Sequence, residues 1–94
     1  MQVLFHIPGP LREFTDNQGD VHVEVKAGGD LLKALQTLFA AHPGIRDRVL
    51  TESSEIRRHV NIFVGNEDVR YTGGLATAIS AGVEISIVPS ISGG

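Results

Sequence analysis

The chain contains no cysteine. Disulfides, thiolate metal sites and cysteine nucleophiles are excluded together, and the composition fits a reducing compartment. No apolar run approaches the roughly 20 residues that a membrane span requires. The opening Met1-Gln2-Val3-Leu4-Phe5 lacks the basic segment and long apolar stretch of a secretory leader. A cytoplasmic protein without a membrane partner is therefore expected. There is no basic stripe either: Lys and Arg number 8 against 11 Asp and Glu, a net charge of −3 spread along the sequence. Without such a stripe to meet a phosphate backbone, nucleic acid is not expected as a partner. Internal repeats and low-complexity stretches are also missing.

What is present fits one domain. A chain of 94 residues buries roughly 60–70% of the surface its unfolded form exposes, enough for one modest core. Val3, Phe5 and Ile7 alternate with polar or outward positions, the period of a half-buried strand. Pro8-Gly9-Pro10 stops that strand, and a polar loop follows with Leu11 and Phe14 as anchors. Val21, Val23 and Val25 alternate again, so the two strands read as a hairpin with a long loop. Asp30 is placed as a helix N-cap. Leu31, Leu32, Leu35, Leu38 and Phe39 then recur at helical spacing as one apolar stripe, until His42-Pro43-Gly44 ends the helix.

Ile45–Leu50 suits a short helical turn, and Thr51–Arg58 reads as a polar loop. Val60, Ile62 and Val64 form a third alternating strand closed by the turn dipeptide Gly65-Asn66. Glu67–Tyr71 reads as a short extended segment and Leu75–Ile79 as one helical turn. Val83, Ile85 and Ile87 make the last strand, before Pro89. The order is strand, strand, helix, strand, short strand, strand. One long amphipathic helix can cover one face of one sheet, whereas a ferredoxin-like fold would need a second long helix. The expectation is an α+β domain of the β-grasp (ubiquitin-like) type, a mixed sheet of about five strands packed on one main helix. It covers residues 1–88, with 89–94 as a flexible carboxyl-terminal Gly-Gly tail.

Candidate catalytic groups are few. His6, His22, His42 and His59 show no ligand spacing such as His-Glu-x-x-His, so surface or capping roles are expected rather than a metal site. Gly28-Gly29-Asp30 lacks the Gly-x-Gly-x-x-Gly pattern of a phosphate loop. Asp16, Asp20 and Asp47 form no paired-carboxylate motif. The sequence points to no catalytic residue, no metal and no bound cofactor, and hence to a protein that is not an enzyme by itself.

The tail has chemistry of another kind. From Pro89 to Gly94 the 6 residues can extend roughly 20 Å at about 3.3 Å each. A terminal carboxylate, with a pKa of about 3.5, is ionised at neutral pH and can attack a nucleotide α-phosphate. Glycine has no Cβ to clash in a narrow passage to such a site. A sulfide donor can displace the resulting acyl-adenylate and leave a thiocarboxylate. Gly94 carries the reacting group in this scheme, and Gly93 gives it access.

The stretch Val60-Asn61-Ile62-Phe63-Val64-Gly65-Asn66-Glu67-Asp68-Val69-Arg70-Tyr71-Thr72-Gly73-Gly74-Leu75-Ala76-Thr77 resembles the ThiS/MoaD family of sulfur carriers. So does the ending Val83-Glu84-Ile85-Ser86-Ile87-Val88-Pro89-Ser90-Ile91-Ser92-Gly93-Gly94. Within the family the likeness is to the type serving cysteine biosynthesis. Over the first fifty residues it extends only through element order and apolar pattern. The resemblance implies a β-grasp fold, adenylation of Gly94 by an E1-like enzyme that uses ATP and Mg, and conversion to a thiocarboxylate. In the cysteine pathway it further implies a pyridoxal-phosphate cysteine synthase and a zinc metalloprotease as partners. Molybdopterin, thiamine and a thio-sugar or siderophore product are the alternative destinations of the sulfur. The tail departs from relatives in reading Ser-Ile-Ser before its glycines, which bears on the partner it fits.

Partner-binding candidates follow partly from geometry. If Val60, Ile62 and Val64 point inward, Phe63 points outward, and by the same count so do Leu4 and Val88. An exposed apolar patch beside the tail would suit an enzyme interface; shielding of these residues by loops is the alternative. Arg70, Asp68 and Leu75 are recognition candidates by family likeness, although a solvated edge and a core leucine would account for them equally. Ile91 belongs to the tail itself. Two further readings share the fold: a ubiquitin-like modifier conjugated through Gly94, and a β-grasp interaction module with an idle tail.

Overall fold

The structure, a computed structural model, describes residues 1–89; the expected tail lies outside the described residues from Ser90 onward. Strand β1 (Gln2–His6) runs antiparallel to β2 (Asp20–Glu24), with Val3 opposite Val23 and Phe5 opposite Val21. The period of two puts those four side chains on the buried face and Leu4, His6 and His22 on the other. β5 (Glu84–Pro89) inserts between β1, to which it is parallel, and β3 (Val60–Val64), to which it is antiparallel. A two-residue β4 (Glu67–Asp68) completes the order β2-β1-β5-β3-β4.

Helix α1 (Leu31–Ala41) starts where the Asp30 carboxylate accepts the Lys33 N–H at 3.1 Å, a cap worth about 1 kcal/mol. Leu31, Ala34, Leu35, Leu38 and Phe39 are buried, whereas Leu32, at the margin of the stripe, is half-buried. The helix packs on one face of the sheet over Phe5, Ile62, Ile85 and Ile87, all of them essentially inaccessible. Parallel β1 and β5, joined by a long crossover that includes this helix, give the β-grasp (ubiquitin-like) fold expected from the element order.

The connections differ from expectation where side chains compete with extended backbone. Gly9–Phe14 is a 3₁₀ stretch rather than an irregular loop. Pro10 fixes its own φ near the start, Leu11 buries itself, and fully buried Thr15 donates its hydroxyl to the Gln18 carbonyl at 2.9 Å. Ile45–Leu50 resolves into a short α2 (Arg46–Val49) preceded by a 3₁₀ turn over Pro43–Ile45. Leu50 then pairs with Ile56 as an isolated bridge inside the expected loop.

Glu67–Tyr71 is extended for two residues only. The Asp68 carboxylate accepts the Arg70 N–H at 2.9 Å and caps a 3₁₀ turn over Val69–Tyr71, the local competition that acidic side chains offer to a ladder. The turn expected over Leu75–Ile79 lies earlier, at Gly74–Ala76. Gly73 and Gly74 reverse the chain there at φ +115° and +60°, which side chains disfavour, and Ala78 already bridges to Asp30. This turn is docked on α1, because the Thr77 carbonyl accepts the Leu31 N–H at 2.9 Å. The last strand runs through Pro89 instead of stopping before it, with Pro89 opposite Val60. β1 does not extend that far along β5, so the missing proline N–H interrupts no pairing there.

Candidate functional site

β5, the strand that leads toward the Gly-Gly sequence, is described as far as Pro89, and Val88 is its last residue on the face of the sheet away from α1. On that face Phe63, half-buried, lies opposite Ser86, and Val88, 42% exposed, lies opposite Asn61 on the same pair of strands. The two apolar side chains are therefore diagonal neighbours, close enough to touch across the ladder. Arg70 reaches the same place, donating from Nη2 to the Asn61 Oδ1 at 2.8 Å. Phe63, Val88 and Arg70, three of the partner-binding candidates, are thus brought together, with Asp68 opposite Phe63 on β4.

Leu4 is half-buried on the same face but pairs with Glu84 and His22, which separates it from the patch. Leu75 is half-buried and packs against the core from the turn that touches α1. Its position follows from core packing, the alternative reading of that residue. Ile91, Gly93 and Gly94 lie outside the described residues. Sequence reasoning missed Tyr71: the 3₁₀ turn that follows Asp68 leaves it 81% exposed beside Arg70. The acidic cap before it was the only available signal.

His6 sits on the outer face between two carboxylates. Its Nδ1 is 2.8 Å from the Asp20 Oδ1, and its Nε2 meets the Glu84 Oε1. The imidazolium form can donate to both, so its pKa is raised above the ordinary 6.5, first by the hydrogen bond to Glu84 and then by that to Asp20. The folded protein holds this proton more tightly than the unfolded chain. His6 therefore contributes stability that is complete below its ordinary pKa and is lost as pH rises through the raised one. The melting-temperature advantage of wild type over His6→Gln is expected to be larger at about pH 6 than at about pH 8.5. A difference independent of pH would reject this account. Among the described residues, no group of three or more His, Asp and Glu side chains could hold a metal ion, and no helix is long and apolar enough to cross a membrane.

Comparison with known proteins shows the family and agrees with the fold. The model of the ThiS family matches residues 5–94. Sulfur carrier protein CysO of Mycobacterium tuberculosis is 43% identical over 97 aligned positions, covering 100% of both chains. The crystal structure of the Amycolatopsis orientalis BexX/CysO complex contains a chain 33% identical at a TM-score of 0.85, covering 98% of this chain and 99% of its own. The small archaeal modifier protein 1 of Haloferax volcanii superposes at a TM-score of 0.86 with 28% identity, covering 100% of both chains. On sequence over its whole length and on fold, the chain belongs to the ThiS family.

Proposed function

We propose that this protein is a sulfur carrier whose Gly94 carboxylate is activated and converted to a thiocarboxylate. The observation that carries the reading is the 43% identity, end to end, with a sulfur carrier protein. The carboxylate attacks the α-phosphorus of ATP on a partner enzyme, forming an acyl-adenylate and releasing pyrophosphate. Hydrosulfide then adds to the acyl carbon and AMP leaves, so that one oxygen of Gly94 is replaced by sulfur. ATP and Mg serve the activating enzyme, and the carrier is its cosubstrate rather than a catalyst.

The patch of Phe63 and Val88, edged by Arg70, supports this reading as a docking surface. It flanks the end of β5, from which the chain continues to Gly94. The A. orientalis relative is in a complex with BexX, which supports association of this fold with a second protein. The destination we propose is cysteine biosynthesis, with a cysteine synthase and a metalloprotease as later partners. Incubation with the activating enzyme, Mg-ATP and sulfide should raise the intact mass by about 16 Da, at the ionised terminus. An unchanged mass with every adenylating enzyme of the same genome would reject the reading.

The archaeal modifier relatives favour a second reading, in which Gly94 is joined to lysines of other proteins. Covalent conjugates recovered from cells would support it. A thiocarboxylate with no conjugates would leave the carrier reading alone.

A further inference from the structure

Four arginines, the adjacent Arg57 and Arg58 with Arg48 and Arg70 from the segments on either side, converge on two adjoining clefts at the Val60 end of β3. One cleft, of about 370 Å³, has buried Val60, Ile62 and Val69 beneath exposed Arg57, Arg58 and Arg70, with Asp68 as its one carboxylate. The other, of about 570 Å³, continues past Arg48, Arg57, Arg58 and His59 to Pro89, with Asp47, the partner of Arg46, at its margin. The Leu50–Ile56 bridge closes the intervening loop and so carries Arg57–His59 back beside Arg48. The absence of a basic stripe from the linear sequence concealed this surface.

Three of the four guanidinium groups are held by uncharged partners. Arg57 donates from Nε to the Asp47 carbonyl at 2.6 Å, Arg48 stands 5.0 Å over the Phe14 ring, and Arg70 bonds the Asn61 amide oxygen. Among the described residues none of the four is in an ion pair, whereas nearby Arg46 is paired with Asp47 at 3.0 Å. Four arginines against the two carboxylates of Asp47 and Asp68 leave the clefts with an excess of positive charge in a chain whose net charge is −3.

We propose that this arginine-lined double cleft docks a surface rich in aspartate and glutamate on the enzyme that receives the tail. The inference rests on the sulfur-carrier reading. Pro89 lies in the second cleft, so a protein that engages the chain beyond Pro89 faces the arginines at the same time. Guanidinium groups recognise carboxylates in paired, planar geometry. Carboxylates on the partner would supply the charge that this chain withholds, and would steer the two proteins together. A polyanionic nucleic acid fits less well, because its phosphates would run beyond the clefts onto the acidic remainder of the chain, whereas a local acidic patch on a protein need not.

The test compares Arg57→Glu/Arg58→Glu with Lys26→Glu/Lys33→Glu, an equal change of charge at residues that line neither cleft. At low salt the first variant should raise the KM of the activating enzyme for the carrier at least tenfold with kcat unchanged. The second should shift it less than twofold, and added salt should bring wild type towards the first variant. Equal losses in both variants, or none in the first, overturn the inference while the mass shift of wild type leaves the carrier reading intact. Dimerisation of the first variant with unchanged KM would also overturn it, since the arginines would then only guard the open edge of β3.

A second measurement stands whether or not a thiocarboxylate forms. A decaglutamate peptide should shift the amide resonances of Arg48, Arg57–Val60 and Arg70 in wild type and not in Arg57→Glu/Arg58→Glu. Absence of those shifts, or tighter binding of a ten-nucleotide oligouridylate, overturns the proposal.

Discussion

A chain shortened to end at Ser92 is expected to melt with the full-length protein and to gain thiocarboxylate at least about a thousandfold more slowly. The first half follows from the described residues, 1–89, in which the core, the sheet pairing and the α1 cap are formed without either glycine. The second half follows from reach. The shortened chain still ends in an ionised carboxylate, but loss of two residues draws it back by about 7 Å. Misplacement of a reacting group by only about 1 Å can cost a hundredfold, so the carboxylate of Ser92 should fall far short of the α-phosphorus. Its Cβ also adds bulk that glycine lacks at the reacting end. Gly93→Val keeps the length and should be impaired less than the truncation. Mass spectrometry over a time course reads all three proteins. Thiocarboxylation of the truncated chain at the full rate would remove Gly94 from its assigned role.

Much of the body was legible because its determinants are local. Alternation located β1, β2, β3 and β5, and Asp30 marked the start of α1 through a bond made three residues away. The same parity placed Phe63 and Val88 on the outer face. What escaped was set by contacts that spacing does not record. Asp68 caps a turn and stops β4 after two residues, which exposes Tyr71. Pro89 remains in its strand because β1 ends short of it. His6 meets Asp20 through the β1/β2 register and Glu84 across the parallel β1/β5 pair. The arginine clefts depend on a bridge between Leu50 and Ile56, two residues with nothing in the sequence to pair them.

That division between inner and outer faces predicts opposite phenotypes for two phenylalanines. Phe5 is 0% exposed, with Val21 and Ile85 as its cross-strand neighbours. Phe5→Ala removes a ring from a close-packed centre and leaves a cavity, a change that costs about 3–5 kcal/mol. Domains of this size have total stabilities of about 5–15 kcal/mol, so a large part of the margin is lost. At about 4–8 °C per kcal/mol, the melting temperature should fall by at least about 12 °C. The outer face is untouched by this change, so below its melting transition Phe5→Ala should be thiocarboxylated with a nearly normal KM. Phe63→Ala should behave in the reverse way. It empties no enclosed site, because Phe63 is only half-buried, and its melting temperature should move far less than that of Phe5→Ala. Its KM with the activating enzyme should nevertheless rise, because half of the apolar patch is gone. Thermal melts and thiocarboxylation kinetics on both variants check the pair. If Phe63→Ala lost as much stability as Phe5→Ala while keeping a normal KM, Phe63 would belong to the core and the patch would lose its assignment as the docking surface.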